Sequence, residues 1–512
     1  DCTRTVKNMN LNAVNREFPP IIDGIGEIKA FAGTQFDSIK TDEKKCSKLV
    51  GNLERAIKEA GLKDGMTISF HHHFRNGDYI VNMVMDTIAK LGIKDIRVAA
   101  SSLTTIHEPL VEHIKKGIVT RIETSGLRGR LAEEISKGLM DVPVIIRSHG
   151  GRARAIEKGE LNIDVAFLGV SSCDEYGNAN GCHGKSICGS LGYAIVDANY
   201  AKKVVLITDN LVEYPNLPVS ISQTKVDYVV HVNEVGDPSG IMSGATRLTK
   251  NPRELMIAKN TAKFIDACGY LKNGFSMQTG SGGSALAVSQ FLRDIMIEKK
   301  ITASFALGGI TQQLVDLHEE GLVGSLFDTQ SFDLRSAISV GKNPRHYEID
   351  ASYYANPDNK GCVVEKLDFV VLSALEIDLN FNVNVITGSD GIIMGASGGH
   401  SDTAAGAKLA IVVAPLIRGR IPTIIDRVNT VITPGETIDA IITDRGIAIN
   451  PLRKDLLDCV VGSDLPIYTI EDLKEKAEKI TGKPKPIEYG EKIVGVVEYR
   501  DGSVIDLIRQ VK

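Results

Sequence analysis

Asp164-Val-Ala-Phe-Leu-Gly-Val-Ser-Ser-Cys-Asp-Glu-Tyr-Gly-Asn-Ala-Asn180 aligns without a gap on Asp368-Phe-Val-Val-Leu-Ser-Ala-Leu-Glu-Ile-Asp-Leu-Asn-Phe-Asn-Val-Asn384. Asp164/Asp368, Leu168/Leu372, Asp174/Asp378, Asn178/Asn382 and Asn180/Asn384 coincide, all at an offset of 204 residues. At the same offset Leu110-Val-Glu-His-Ile-Lys-Lys-Gly117 falls on Leu314-Val-Asp-Leu-His-Glu-Glu-Gly321. A period this long exceeds that of a solenoid or a propeller blade, so it marks two whole domains of one fold with a cleft between them.

The punctuation of the chain gives the fold class. Residues 1–45 are a lead-in broken by Pro19-Pro20 and Asp23-Gly24, with no strong period. A first domain then spans 46–240, and a second spans 241–512 with a C-terminal appendage; the link falls near Gly236-Asp-Pro-Ser-Gly240. In the first, helices over 48–60, 81–91 and 110–116 alternate with strands over 66–70, 96–100, 144–146, 165–168 and 204–208. The second continues with helices over 260–267 and 285–298 and strands over 274–278, 304–307, 369–372, 410–413 and 438–443. Strands that alternate with helices and read as unbroken Val/Ile/Leu runs predict α/β domains, each an open, mainly parallel sheet flanked by helices. A helix over 471–480 and strands over 493–498 and 504–508 are expected to close the second domain.

Composition excludes several classes. Of 512 residues, 43% are apolar and 24% charged, as in a globular protein, and a net charge of −5 with dispersed Lys and Arg argues against nucleic-acid or membrane partners. The polar start and the absence of an apolar run of ~18 residues point to the cytoplasm. Eight cysteines (2, 46, 173, 182, 188, 268, 362, 459) without a Cys-x-x-Cys pair suit reduced thiols. Cys173, Cys182, His183 and Cys188 invite a zinc reading, but their spacing fits no standard finger, so no metal site is expected.

Ligands of open α/β sheets bind beyond the carboxyl ends of the strands. Four loops there stand out. His71-His-His-Phe-Arg-Asn-Gly77 offers His71, His72 and Arg75 to a phosphate or carboxylate; the alternative is a polar strand end. Thr279-Gly-Ser-Gly-Gly-Ser-Ala285 lets a backbone approach an anion at a helix N-terminus through Gly280, Gly282 and Gly283, without the acidic partner of a dinucleotide fingerprint. In Gly395-Ala-Ser-Gly-Gly-His-Ser-Asp402, consecutive N–H groups of Gly398 and Gly399 can point at one oxygen as acyl chemistry needs, flanked by His400 and Asp402; the alternative is a plain tight turn. Ser125-Gly-Leu-Arg-Gly-Arg130, His149-Gly-Gly-Arg-Ala-Arg154 and Arg418-Gly-Arg420 supply arginines that can hold several carboxylates. Glu376 ends an apolar strand where a nucleophilic or basic carboxylate can sit, whereas Asp174 and Asp378 read as turn-capping residues.

Asp64-Gly-Met-Thr-Ile-Ser-Phe-His-His72, the segment 162–181, Gly274-Phe-Ser-Met-Gln-Thr-Gly280, Leu372-Ser-Ala-Leu-Glu-Ile-Asp378, Ile386-Thr-Gly-Ser-Asp-Gly391 and Gly395-Ala-Ser-Gly-Gly-His400 together resemble the alpha subunit of bacterial citrate lyase, from about residue 20 onward. The resemblance implies two tandem domains of the CoA-transferase fold and the exchange of acetate for citrate on an acyl-carrier thioester. It implies no tightly bound cofactor. The thiol would belong to a phosphoribosyl-dephospho-CoA arm on a separate carrier (gamma) subunit, with acetyl-CoA as surrogate, and a beta subunit would cleave the citryl thioester in an oligomeric complex. Gly398, Gly399, His400 and Glu376 would be catalytic; Arg128, Arg130, Arg75, His71 and His72 would hold citrate; Gly280, Gly282 and Gly283 would receive the arm.

Exchanging one carboxylate for another conserves the thioester, so positioning and oxyanion stabilisation matter more than acid–base power. Some relatives that use a covalent glutamyl adduct are expected to carry the nucleophile about twenty residues before the position of Glu376. Asp350-Ala-Ser-Tyr-Tyr-Ala-Asn-Pro357 has no glutamate there, which favours direct attack by citrate in a ternary complex. The alternative is a glutamyl-CoA transferase or acyl-CoA hydrolase acting on free CoA.

Overall fold

A computed structural model describes residues 10–33, 47–242, 248–280 and 282–512; Cys2, Cys46 and Ser281 lie outside them. Residues 10–33 belong to a separate compact unit and form two small hairpins, Asn10–Leu11 with Glu17–Phe18 and Ile21–Ile22 with Gly26–Glu27. Residues 48–512 form one further compact unit that contains both copies of the repeat.

Each copy builds an open sheet with the same strand order. In the first, Val144–Ile146, Val119–Thr124, Ile96–Ala100, Thr67–Phe70, Val165–Val170, Lys203–Thr208 and Tyr228–His231 lie side by side, all parallel. In the second, His346–Glu348, Val323–Ser331, Ala303–Ile310, Phe275–Thr279, Phe369–Ser373, Leu409–Val413 and Ala440–Thr443 repeat that order, again all parallel. The central strands Val165–Val170 and Leu409–Val413 are buried throughout, which explains their unbroken apolar runs.

The aligned stretches fold alike down to single hydrogen bonds. Asp174 Oδ1 accepts from Tyr176 N (3.0 Å) and Asn178 N (3.1 Å); Asp378 Oδ1 accepts from Asn380 N (3.0 Å) and Asn382 N (3.1 Å). Both aspartates therefore cap a turn, as their type and spacing predict. Each turn returns a short strand onto the next, Ala179–Asn180 against Ser172–Asp174 and Val383–Asn384 against Glu376–Asp378.

Three expectations are corrected. The helix expected over 48–60 is confined to Leu53–Glu59, because Asn52 accepts from Arg55 N and caps it, while Leu49–Val50 pairs with Tyr228–His231. Residues 149–154 are the start of helix His149–Lys158 rather than a loop, with Ser148 as its cap. The C-terminal strands complete the first sheet and not the second: Tyr489–Glu498 runs parallel to Val144–Ile146, and Val504–Val511 pairs antiparallel outside it. The edge of the first sheet needs a partner, and Val494, Val497 and Ile508 are buried in the first copy's core. The expected helix near the C-terminus, Ile470–Thr481, does pack on the second copy through Ile470, Leu473 and Ala477.

If the hairpin is integral to the first core, Ile508→Ala will cost roughly 2–5 kcal/mol. The check is a lower urea midpoint at unchanged slope; a loss below about 1 kcal/mol would mean that the hairpin only lies on the surface.

Candidate active site

The Gly395–Asp402 loop reaches across to the first copy of the repeat. Leu127 N donates to Gly395 O (3.1 Å), Ser397 N to Ser125 O (2.7 Å) and His149 N to Gly398 O (2.8 Å). Gly398 turns with φ 55°, a region that favours glycine. A Cβ at Gly399 would lie 2.6 Å from Tyr354 Oη, so that position admits no side chain without moving the tyrosine. The N–H groups of Gly398 and Gly399 have no acceptor among the described residues. Two adjacent, rigidly held donors with nothing to bond suit an oxyanion.

Helix His400–Gly406 starts at this turn, and His400 anchors it. Nδ1 bonds Thr433 Oγ1 (2.6 Å) and Nε2 bonds Ser373 O (2.8 Å). Burial holds this imidazole down to about 4 against the pull of the Ser373 carbonyl, so it is neutral near pH 7. With both ring nitrogens used inside the protein, His400 fixes the turn and has none left for a proton transfer.

Opposite the turn stand rings from the first copy. His72 stacks on Tyr193 at 4.7 Å between centroids, and Tyr193 meets His149 at 4.2 Å. His71, expected at the substrate, spends both nitrogens in the loop: Nε2 bonds Gly169 O (2.6 Å) and Nδ1 accepts from His73 N (3.1 Å). His72 Nδ1 bonds Ser101 Oγ (2.5 Å). His73 Nε2 accepts from Tyr193 N (3.1 Å), which locks the stack. Burial pushes His71, His72, His73 and His149 below the usual histidine range, His149 to about 3. On the second copy's side, Gln278 Nε2 donates to Tyr354 Oη (2.9 Å).

Tyr193, His149, Tyr354 and Gln278 join this region without a motif that marks them in the sequence: His149 opens an arginine run, Tyr354 lies in the glutamate-free stretch 350–357, and Gln278 precedes the Gly280 loop in strand Phe275–Thr279. Tyr193 sits inside helix Gly192–Tyr200 with no sequence signal.

Glu376 lies in a strand beside this region. Oε1 accepts from Asn384 Nδ2 (2.6 Å) and Asn429 N (3.1 Å), and Oε2 accepts from Asn429 Nδ2 (2.9 Å). Burial raises its carboxyl, while these donors oppose the shift. The equivalent Ser172 bonds the equivalent Asn180 at 2.9 Å, so Glu376 occupies a structural position of the repeat. A cavity of about 690 Å³, lined by Arg427, Asn429, Tyr489 and Arg509 among others, opens next to it.

The arginines divide. Arg75 donates to Phe332 O (2.8 Å) and lies over the Phe332 ring, bridging to the second copy; burial brings it down to about 10. Arg128 donates to Met394 O (3.2 Å), directly before the loop. Arg130 points away, paired with Glu108 and Glu112. Arg152 and Arg154 are structural: Arg152 grips Asp197 through two bonds of 2.6 and 2.9 Å, and Arg154 pairs with Glu160. Gly280 follows strand Phe275–Thr279, and Gly282 caps the 17-residue helix Gly283–Lys299, exposed and with no side-chain cap. Among the described residues no group of three or more His, Cys, Asp or Glu side chains is arranged to hold a metal ion, and no helix is long and apolar enough to cross a membrane.

The citrate lyase alpha-subunit (CitF) family profile matches residues 46–511. The chain belongs to this family. It is 61% identical to the citrate lyase alpha chain of Haemophilus influenzae over 465 residues, covering 91% of this chain and 93% of that one. It is 59% identical to the citrate lyase alpha chain of Klebsiella pneumoniae, covering 92% of each. A crystal structure of the citrate lyase alpha subunit of Streptococcus mutans in complex with citrate superposes with a TM-score of 0.90 at 57% identity, over 95% of this chain and 96% of that one. The alpha subunit of a malonate decarboxylase from Acinetobacter baumannii shares the fold at a TM-score of 0.62 and 14% identity, over 86% of this chain and 93% of that one. The citrate lyase alpha resemblance read from the sequence therefore holds, and with it the tandem α/β fold.

Buried neutral histidines make stability depend on pH. The folded chain resists protonating these rings, so the unfolded chain binds more protons below pH ~6.5, and stability falls as the pH drops. His400→Gln should remove up to ~1.4 kcal/mol per pH unit from that slope between pH 6.5 and 5. Urea midpoints of the two proteins across this range decide it; parallel curves would show that His400 does not titrate on unfolding.

Proposed function

We propose that this chain exchanges acetate for citrate on an acyl-carrier thioester, within a citrate lyase complex of alpha, lyase (beta) and acyl-carrier (gamma) subunits. The observation that carries this reading is the pair of unbonded N–H groups at Gly398 and Gly399, set at the junction of the two copies. Family membership and the citrate in the Streptococcus mutans relative support the substrate.

A citrate carboxylate attacks the acetyl carbonyl carbon of the thioester; a C–O bond forms, and the carbonyl oxygen takes up negative charge against the Gly398 and Gly399 N–H groups. Collapse breaks the C–S bond and leaves a mixed anhydride and a thiolate. The thiolate then attacks the citryl carbonyl; a new C–S bond forms to the citryl carbon, the citryl C–O bond of the anhydride breaks, and acetate leaves with the bridging oxygen, which came from citrate. No proton changes hands, which agrees with neutral histidines around the turn. Arg75, Arg128 and His72 are the expected carboxylate contacts. The exposed N-terminus of helix Gly283–Lys299, at Gly280, Gly282 and Gly283, suits the phosphates of the carrier's phosphoribosyl-dephospho-CoA arm, for which acetyl-CoA would substitute.

The donors that hold both oxygens of Glu376 speak against a glutamyl adduct and for the ternary-complex route. Treating the chain with an acetyl thioester and borohydride should therefore leave every glutamate intact; a reduced Glu376 would establish the covalent alternative. Acetyl-carrier protein plus citrate should release acetate, and no release with competent carrier would overturn the reading. Gly399→Ala, whose methyl group displaces Tyr354, should lower kcat on the order of 10²–10³-fold.

A further inference from the structure

We propose that His149 is a substrate-contacting residue, its imidazole posted beside the Gly398–Gly399 turn by Asp402 and Arg500 to donate a hydrogen bond to a carboxylate of the tricarboxylate substrate. The assignment rests on the reading that a tricarboxylate binds at this turn, and it adds a residue and two positioning groups to it.

The first observation is an unmade bond. His149 is 8% exposed, its Nδ1 is buried with no partner, and neither ring nitrogen bonds any described residue. A buried polar atom left unpaired is costly, and folded proteins rarely retain one without a reason. The neighbouring rings differ: His71 and His400 have both nitrogens satisfied, and His73 has one. The other nitrogen faces the turn, since a Cβ at Gly398 would lie 3.8 Å from Nε2; with no acceptor at Nδ1 to hold a proton there, Nε2 is the nitrogen whose N–H is offered to the substrate.

The second observation is how firmly the ring is placed. The Asp402 carboxylate is fully buried and accepts from Ser148 Oγ (3.0 Å) and Gly150 N (3.0 Å), the residues on either side of His149. Arg500, at the tip of the C-terminal hairpin, donates to Asp402 Oδ1 (3.2 Å) and to Ala355 O (3.0 Å), next to Tyr354. His149 N closes the circuit on Gly398 O. The ring leads the ten-residue helix His149–Lys158, whose N-terminal dipole favours an anion. A neutral imidazole there donates one N–H to a carboxylate without carrying charge of its own.

The test is citrate binding to the full chain by calorimetry, with acetate release assayed alongside. His149→Ala should weaken citrate on the order of 10- to 100-fold, and His149→Gln, which keeps a donor, should recover part of it. Arg500→Ala should weaken citrate less, and Arg500→Lys should restore most of that loss. Unchanged citrate affinity in both His149 variants, with wild-type urea midpoints, would overturn the assignment. If wild type binds citrate and His149→Ala does not, yet no acetate is released, His149 stands and the proposed exchange falls. If wild type does not bind citrate, both fall.

Discussion

A single buried carboxylate, Asp402, ties three parts of the chain to one point. It follows the Gly-Gly turn of the second copy, takes hydrogen bonds from Ser148 and Gly150 of the first, and receives Arg500 from the C-terminal hairpin. Stripped of these donors, a carboxylate with no exposure would be a severe cost; with them it ties the second copy's turn to the first copy and its C-terminal hairpin, to which no sheet joins it. The turn at Gly398, the start of helix His149–Lys158 and the position of Tyr354 all follow from where Asp402 sits.

Asymmetry between the copies then gives the site its character. Both keep the Asp-Asn turn and the short strand that returns on it, so the scaffold is duplicated. The loops beyond it diverge. The first copy brings stacked rings, His72, Tyr193 and His149, and the second brings free backbone donors at Gly398 and Gly399. Rings that burial keeps neutral and, among the described residues, donors without acceptors give the junction the make-up that the proposed exchange needs: groups that can face negative charge and few placed to move a proton. Glu376, for all its prominence at a strand end, belongs to the scaffold, because its partner Asn384 has a counterpart in Asn180 and its own place has one in Ser172.

Much of the fold was legible because it depends on local rules. Unbroken runs such as Val165–Val170 and Leu409–Val413 announce buried parallel strands, and Asp174 and Asp378 announce turns by type and spacing alone. The destination of the C-terminal strands was not legible: their alternation shows that they are strands, but which sheet edge they join depends on an open edge more than 300 residues away, at Val144–Ile146. The site divided in the same way. Glycines that need a positive φ or a close approach mark themselves, so the Gly398–Gly399 turn was found. Tyr193 and His149 reach the candidate site only through stacking between elements distant in sequence, and Arg152 and Arg154 are consumed by ion pairs with Asp197 and Glu160 that sequence spacing does not reveal.

The C-terminal hairpin carries a consequence for how the molecule is made. Because residues 489–511 finish the first sheet, everything between His231 and Tyr489 is, topologically, an insertion within the first domain. On the ribosome the first copy therefore emerges with its Val144–Ile146 edge bare, and it waits for the whole second copy to be synthesised before its own last strands arrive. The order of synthesis thus makes closure of the first sheet, the seating of Arg500 on Asp402 and completion of the junction one late event, so a chain whose second copy fails to fold should leave the first unfinished.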